Sequence, residues 1–167
     1  MITLTLASGT GIRSGSVTLA LAIASTGGDR CASVQWSFGH TSDVTLTSVA
    51  LGSVAVSASK SLSRSGDLCV IWSSNQNVIA DGTLITATFS IAANPSTGSI
   101  PISITGVVAS DPDANPLTAS GVSGTVTVDT PVLTCPVGGN TAVVNTPYTA
   151  TLVASGGVPS YTYSIIG

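Results

Sequence analysis

Residues 111–128 read DPDANPLTASGVSGTVTV and mark the end of one domain and the beginning of another. A polar loop bounded by prolines comes first, and a strand pattern with regularly spaced valines follows it. Those valines are Val122, Val126 and Val128. Asp129-Thr130-Pro131 then interrupts the pattern. We therefore predict one domain over residues 1–129 and a partial β segment over residues 130–167.

Alternation of apolar and polar residues continues upstream through most of the first domain. The alternating stretches lie at residues 2–6, 17–23, 32–38, 68–72, 85–91 and 100–104, and a looser series spans residues 44–56. This period is typical of half-buried strands, and turn-forming stretches such as 8–11 and 94–98 separate the strands. About nine strands with almost no helical period predict an all-β fold, an antiparallel β-sandwich.

The large aromatic residues of the first domain fall in these strands. They are Trp36, Phe38, Trp72 and Phe89. Their strand positions favour the middle of the core over an exposed platform for sugars. Aromatic residues make up only 4% of the chain, which also weighs against a carbohydrate-binding surface.

Charge is scarce along the whole sequence. Charged residues make up 7%, with seven Asp, no Glu, and a net charge of −3. A nucleic-acid partner needs a basic stripe, which this chain lacks. A polybasic membrane anchor and an apolar run of about 18 residues are also missing from the sequence, so we predict no membrane insertion.

The sequence offers few residues for catalysis. His40 is the only histidine, and we predict that it is a solvated loop residue without a base–nucleophile partner. We predict no enzyme activity, no cofactor and no metal site. The D-x-D-x-N motif at residues 111–115 leaves two interpretations open, an Asp-stabilised turn and a calcium loop.

The order of these features resembles that of a cohesin domain over roughly residues 1–129. The resemblance rests on the opening strands ITLTL and VTLALAI, on CASVQWSF, on NVIADGTLITATFSI, and on the closing SDPDANPLTASGVSGTVTV. It implies a nine-stranded jelly roll whose first and last strands lie side by side, and a non-catalytic role in protein–protein attachment. In that arrangement the strands that carry Cys31 and Cys69 are neighbours, which implies a cross-strand disulfide between these two residues.

The remaining segment resembles the start of a bacterial immunoglobulin-like repeat. The matching stretch is CPVGGNTAVVNTPYTATLVASGGVPSYTYSI. The resemblance implies one strand with Tyr148 and Leu152 and a second with Tyr161, Tyr163 and Ile165. Two or three strands are too few to enclose a hydrophobic core of their own. We therefore predict that the segment packs on the first domain, pairs with another chain or continues in a longer protein.

Taken together, these features predict a structural or adhesive module of a surface-exposed assembly such as a filament, a cell surface or a virion. Its partner would be another protein or further copies of itself, as a homo-oligomer or as part of a longer multidomain chain. A cohesin-type receptor for a dockerin-like domain and a carbohydrate-binding module are the two alternatives. Low charge and a Ser/Thr-rich coat suit an extracellular or virion-surface location.

Overall fold

The computed structural model of the protein describes residues 1–134, 144–145, 147, 152–155 and 161–164. These residues form fourteen strands and one short helix. The strands are β1 (Ile2–Leu6), β2 (Gly9–Ile12), β3 (Ser16–Ser25), β4 (Ser33–Gly39), β5 (Val44–Leu51), β6 (Ser61–Ser65), β7 (Leu68–Trp72), β8 (Gly82–Ile91), β9 (Ser99–Ser110), β10 (Pro116–Leu117), β11 (Ala119–Val122), β12 (Gly124–Asp129), β13 (Val132–Thr134) and β14 (Val153–Ser155), and the helix α1 is Ser53–Ser57. Within the described ranges, no helix has the length and hydropathy to cross a bilayer.

Two sheets pack face to face. The first has the strand order β11-β1-β3-β8-β5, and the second has the order β2-β12-β9-β4-β7-β6, with β10 paired to β9. Most neighbouring strands are antiparallel, as predicted. A separate antiparallel pair, β13 with β14, follows the sandwich. The all-β sandwich predicted from the alternation is confirmed.

The core consists of the inward residues of the predicted strands. Buried residues alternate with partly or fully exposed ones along β1, β3, β4 and β8. Trp36 is fully buried and meets Phe38 edge to face, with ring centroids 6.2 Å apart. Phe38 meets Phe89 in the same way at 5.5 Å. Three of the four large aromatics therefore fill the core as predicted, and edge-to-face pairs of this kind add to the stabilisation from burial.

The two ends of the sandwich domain lie together, as the cohesin resemblance implied. The first strand begins as β1 in one sheet and continues as β2 in the other, and the closing strand does the same as β11 and β12. β1 pairs with β11 and β2 pairs with β12, both in parallel. The crossing needs Gly124, because a Cβ there would lie 2.6 Å from the carbonyl oxygen of Ala7. The paired ends give the sandwich its jelly-roll topology.

Two glycine-rich stretches behave differently from their sequence patterns. Residues 8–11 were predicted to be a turn, but Gly9–Ile12 is strand β2. A Cβ on Gly11 would come within 2.4 Å of Ile91 Cδ1, so glycine serves close packing here and not a turn. In the series 44–56, only Val44–Leu51 is a strand, and helix α1 follows Gly52, where a Cβ would clash with the Thr83 carbonyl at 2.2 Å.

Trp72, which was predicted in the core, and Val122, which was predicted in the closing strand, are both exposed. Trp72 is 49% exposed because Cys69 and Ile71, not Leu68 and Trp72, face the core from β7. Every residue of β7 is apolar, so alternation could not reveal its phase. Val122 is also exposed, since it belongs to β11 and not to β12, which carries the buried Val126 and Val128.

Asp43 ties the turn before β5 to the loop after β8. Its carboxylate accepts hydrogen bonds from the hydroxyl and the backbone N–H of Ser96 and from the hydroxyl of Thr41. The hydroxyl of Ser96, followed by its N–H, lowers the pKa of Asp43. Because the folded pKa lies below the unfolded value, the stabilisation is present above the unfolded pKa and is lost as the pH falls through the folded one.

We therefore expect the free energy of unfolding to fall when the pH drops from about 6 to below the ordinary Asp pKa of about 3.9. Asp43→Asn should show a smaller fall, and Ser96→Ala should lie between this variant and the parent. Urea unfolding at a series of pH values measures the effect. An acid dependence in Asp43→Asn that equals the parent's would contradict the assignment.

Most of the immunoglobulin-like segment lies outside the described residues. This holds for Tyr148 and Ile165, and for the third cysteine, Cys135. The described part shows Val132–Thr134 paired with Val153–Ser155, while Tyr161 and Tyr163 belong to a short stretch without regular structure. The immunoglobulin-like repeat and the division at residue 129 remain predictions.

Candidate functional site

Each sheet of the sandwich has one side on the core and one side toward solvent. Of these two solvent-facing sides, the one formed by β9, β4, β7 and β6 carries the largest exposed apolar residues. Strand register arranges its side chains in rows across the four strands. One row holds Val108, Gln35, Val70 and Ser63, and the next holds Thr105, Ser37, Leu68 and Ser65. One register step in the other direction brings Ser110, Ser33, Trp72 and Ser61 together. We call these three rows the outer face.

The apolar residues of the outer face form a stripe along β7. Leu68, Val70 and Trp72 point outward at every second position, and the side chains of Leu68 and Trp72 are 39% and 49% exposed. Val108, two strands away, is 59% exposed. Exposed apolar groups clustered on one surface are typical of an interaction site, whereas single ones are ordinary.

Trp72 is held in place on this surface. Its indole Nε1 donates a 2.8 Å hydrogen bond to the Ser63 hydroxyl on the neighbouring strand β6. The hydroxyls of Ser33 and Ser110 bond each other at 2.7 Å in the same row. A partner that covers the ring would therefore meet a preorganised aromatic surface, which reduces the entropy lost on binding.

The outer face has no charged side chain. Apart from Arg64 and Asp129, all charged residues of the chain lie in turns and loops. The Arg64 side chain does not join the outer face, because its guanidinium bonds the carbonyls of Leu46 and Thr47 on β5 in the other sheet. It also bonds the carbonyl of Gly66. The surface is therefore apolar and hydroxyl-rich, with little electrostatic steering.

The motif at 111–115 forms a turn between β9 and β10. One carboxylate oxygen of Asp111 accepts the backbone N–H groups of Asp113 and Asn115 at 2.9 and 2.8 Å, and the other accepts the Asn115 amide at 2.9 Å. The Asn115 amide, ahead of the backbone bonds, lowers the pKa of Asp111. Among the described residues, no group of three or more His, Cys, Asp or Glu side chains is arranged to hold a metal ion. The hydrogen bonds of Asp111 are those of the Asp-stabilised turn.

The structure does not bring the two predicted disulfide partners together. Cys31 and Cys69 are both buried free thiols. Register pairs Cys69 with Trp36, five residues beyond Cys31 along the chain, and a disulfide needs Cα atoms within about 7 Å. Their surroundings differ as well, since Lys60 is the charged neighbour of Cys31 while Arg64 and Asp67 are those of Cys69. Cys31 lies two residues before β4 begins, and the register of β7 against β4 separates it from Cys69.

Both thiols should resist modification in the folded protein. Burial raises the pKa of Cys31 and that of Cys69 to about 11, so neither forms the reactive thiolate at neutral pH. We expect iodoacetamide to label them only after denaturation, as peptide mapping by mass spectrometry would show. Recovery of a linked Cys31–Cys69 peptide from a non-reducing digest would contradict this expectation.

His40 is not the solvated loop residue predicted from the sequence. Its side chain is only 13% exposed, and its ring packs edge to face with that of Phe89 at a centroid distance of 6.0 Å. Nε2 lies 3.2 Å from Asp67 Oδ1. No signal in the sequence pairs these two residues, which are 27 positions apart and meet only through the β4–β7 register.

Cohesin domains are among the solved structures that share this fold. A non-cellulosomal cohesin from Archaeoglobus fulgidus has 17% identity and a TM-score of 0.62, covering 76% of this chain and 90% of that chain. The seventh ScaB type I cohesin from Pseudobacteroides cellulosolvens has 15% identity and a TM-score of 0.63, covering 84% and 98%. The third ScaC cohesin from Acetivibrio cellulolyticus, solved in complex with the ScaB dockerin, has 14% identity and a TM-score of 0.66, covering 77% and 99%.

Sequence comparison adds no relative to this structural likeness. No family model matches the sequence. No curated protein matches it either. The likeness therefore rests on the arrangement of strands, which agrees with the residue patterns quoted above. The sandwich has the fold of a cohesin domain.

Proposed function

We propose that the chain is a non-catalytic protein-binding module that docks its partner on the outer face. The observation that carries this proposal is the apolar stripe of Leu68, Val70 and Trp72 on an otherwise uncharged, hydroxyl-lined sheet. Tryptophan is enriched among the residues that dominate binding energy at interfaces. The pocket that touches the outer face, at Ser33 and Ser110, has a volume of about 170 Å³ and is smaller than the usual ligand site, so a protein partner suits this surface better than a small substrate.

A dockerin-like domain is the partner that the comparisons support best. Several neighbours of the same fold were solved as complexes with dockerins, among them the ScaC cohesin and a cohesin of OlpA from Clostridium thermocellum. At 14% and 15% identity, the likeness to these structures supports the fold. The assignment of a dockerin-like partner to this chain is our proposal. An extracellular or cell-surface location follows from the same proposal.

A panel of dockerin-like domains, passed over the immobilised chain in a biolayer binding assay, tests the proposal. We expect at least one member to bind with 1:1 stoichiometry. Absence of binding to every member would reject the dockerin-like partner.

A structural subunit that assembles with its own copies is the second candidate. The outer side of the other sheet favours it, because β1, β3 and β8 present threonine, serine and alanine there without any charge. Thr18 and Thr88, for example, bond each other across β3 and β8 at 2.9 Å. Two uncharged sheet surfaces could stack in an assembly. Size-exclusion chromatography with light scattering separates the candidates, since a receptor should be monomeric alone and a subunit should be oligomeric.

A further inference from the structure

A small polar pocket lies at the end of the outer face where Trp72 ends β7. It has a volume of about 170 Å³ and lies between the start of β4, the loop that follows β7 and the turn that follows β9. Because β4 runs between β9 and β7 in the sheet, the loop and the turn form opposite walls. The polar residues of the lining are Ser33, Ser73, Asn75, Ser110 and Asp111. We call this site the end pocket.

The wall formed by the loop after β7 is backed by a buried ammonium group. Lys60 is only 5% exposed, and its Nζ donates to the Ser73 hydroxyl at 3.1 Å and to the Asn75 side-chain oxygen at 3.0 Å. The Asn75 amide donates in turn to the carbonyls of Ala58 and Ser59. Within the part of the chain that the structure describes, Lys60 pairs with no carboxylate. This wall is therefore held firmly and carries positive charge behind its polar surface.

The opposite wall carries a negative charge. The Asp111 carboxylate accepts three hydrogen bonds from Asn115 and Asp113, and the lowered pKa described above keeps it charged at neutral pH. A carboxylate has about four acceptor sites, so one of them is left for a further donor. Arg30 is a positive charge close enough to lower the pKa of Asp111 as well. The surroundings of the end pocket thus combine one anion with two cations.

The floor of the end pocket provides a free hydrogen-bond donor. The hydroxyls of Ser33 and Ser110 bond each other at 2.7 Å, and this bond uses the proton of only one of them. The other hydroxyl proton has no acceptor among the residues that the structure describes. The Ala32 N–H bonds the Ser110 carbonyl at 2.8 Å and fixes the start of β4 against the end of β9. A guest therefore meets one free donor and one free acceptor in a rigid frame.

We propose that the end pocket receives one neutral carboxamide side chain, of an asparagine or glutamine, from the protein that binds the outer face. This assignment rests on the proposed function. The guest's carbonyl oxygen accepts the free hydroxyl proton, and its NH₂ group donates to Asp111. An anionic guest would meet the Asp111 carboxylate, and a cationic guest would add a third positive charge to Lys60 and Arg30.

The size and position of the end pocket agree with a single side chain. Sites for whole small ligands usually measure about 300–1,000 Å³, well above the volume found here. The pocket adjoins the half-exposed ring of Trp72, and residues that dominate binding energy cluster around such aromatic anchors. Because both walls are held by internal hydrogen bonds, little ordering is needed when a guest enters.

Small probes of equal chain length test the charge preference without a partner. They are propionamide, propionate and propylammonium, titrated into the ¹⁵N-labelled chain at constant ionic strength. We expect propionamide to shift the amide signals of Ser33, Ser73 and Asp111 saturably, with an affinity at least about fivefold above that of either charged probe. The absence of a saturable shift at these residues, or equal affinities for all probes, overturns the proposal.

Removal of both hydroxyls from the floor tests the donor. Ser33→Ala combined with Ser110→Ala should weaken propionamide binding at least about fivefold, the effect of one lost hydrogen bond. Either single variant keeps one hydroxyl proton and should lose less. Ser61→Ala lies in the same row of the outer face but outside the pocket, and it should bind propionamide as the parent does. Unchanged binding by the double variant contradicts the assigned donor.

Asp111→Asn tests the charged wall, and it does so even if the double variant fails to fold. Asparagine favours turns as aspartate does, so the connection between β9 and β10 should be retained. Without the negative charge, propionate should bind at least about threefold more tightly than it binds the parent protein. A propionate affinity equal to the parent's would show that Asp111 does not exclude anions from the pocket, and the proposal would fail.

The partner itself provides the last comparison. A dockerin-like domain that binds the outer face should bind the double variant at least about tenfold more weakly, and Ser61→Ala as it binds the parent. If propionamide binds and no such domain does, the proposed function fails and the end pocket stands. If a domain binds and propionamide does not, the end pocket is overturned and the function stands. Equal binding of the domain to the double variant would place the end pocket outside the interface and reject the proposal.

Discussion

Replacement of Trp36 by alanine should lower the free energy of unfolding by about 3–5 kcal/mol, the usual cost of deleting a large buried aromatic side chain. Trp36 is fully buried in the second sheet and begins the edge-to-face series that continues through Phe38 to Phe89. The cavity would open in the middle of the core, where rigid strands on both sides limit collapse. Because domains of this size are stable by about 5–15 kcal/mol, the variant should be close to unfolding.

A second substitution at the same position separates packing from hydrogen bonding. The indole Nε1 of Trp36 is buried without a hydrogen-bond partner among the described residues. Trp36→Phe removes this unsatisfied donor, whose burial costs about 1–3 kcal/mol, and keeps an aromatic ring. We expect it to lose less than half as much stability as Trp36→Ala in urea unfolding. A loss below about 1 kcal/mol for Trp36→Ala would show that the core is not packed around this ring.

Replacement of Trp72 by alanine should change the stability of the fold little and weaken partner binding strongly, in contrast to replacement of Trp36. The ring is half exposed and touches the sheet surface, so the free energy of unfolding should change by less than about 1 kcal/mol. Partner binding should weaken by at least about 30-fold, which corresponds to about 2 kcal/mol, the level at which an interface residue is a hot spot. Calorimetric titration of each variant with a dockerin-like domain that binds the parent protein measures the affinity.

Two variants control this experiment. Val122→Ala truncates an exposed apolar residue on β11 of the other sheet, and it should bind as the parent does. Ser63→Ala removes the acceptor that holds the indole, and it should weaken binding less than Trp72→Ala because the ring remains. Equal losses for Val122→Ala and Trp72→Ala would place the binding surface elsewhere.

The alternating strands were predictable from the sequence because half-buried strands impose a period of two on their side chains. Strands β1, β3, β4 and β8 were found this way, and their inward residues were correct. The same rule failed for β7, since LCVIW is apolar on both sides. Burial of the thiol Cys69 and exposure of Trp72 follow from the pairing of β7 with β4, which only tertiary structure determines.

The candidate site was missed for the same reason. Trp72 was placed in the core, so the stripe it forms with Leu68 and Val70 could not be predicted. Short elements escaped as well, because α1 and β2 go with close packing of Gly52 against the Thr83 backbone and of Gly11 against the Ile91 side chain, and not with a hydropathy pattern. Strand register separates Cys31 from Cys69 and brings His40 to Asp67. This register cannot be predicted from a single sequence.

Amide chemical-shift mapping of the ¹⁵N-labelled chain with a dockerin-like domain that binds it tests the central claim most directly. We expect the largest changes at residues 68–72 of β7, at Gln35 on β4 and at Val108 on β9, with small changes on the other sheet. Changes concentrated at Thr18 and Thr88, on the opposite side of the sandwich, would contradict the assignment of the outer face as the binding surface.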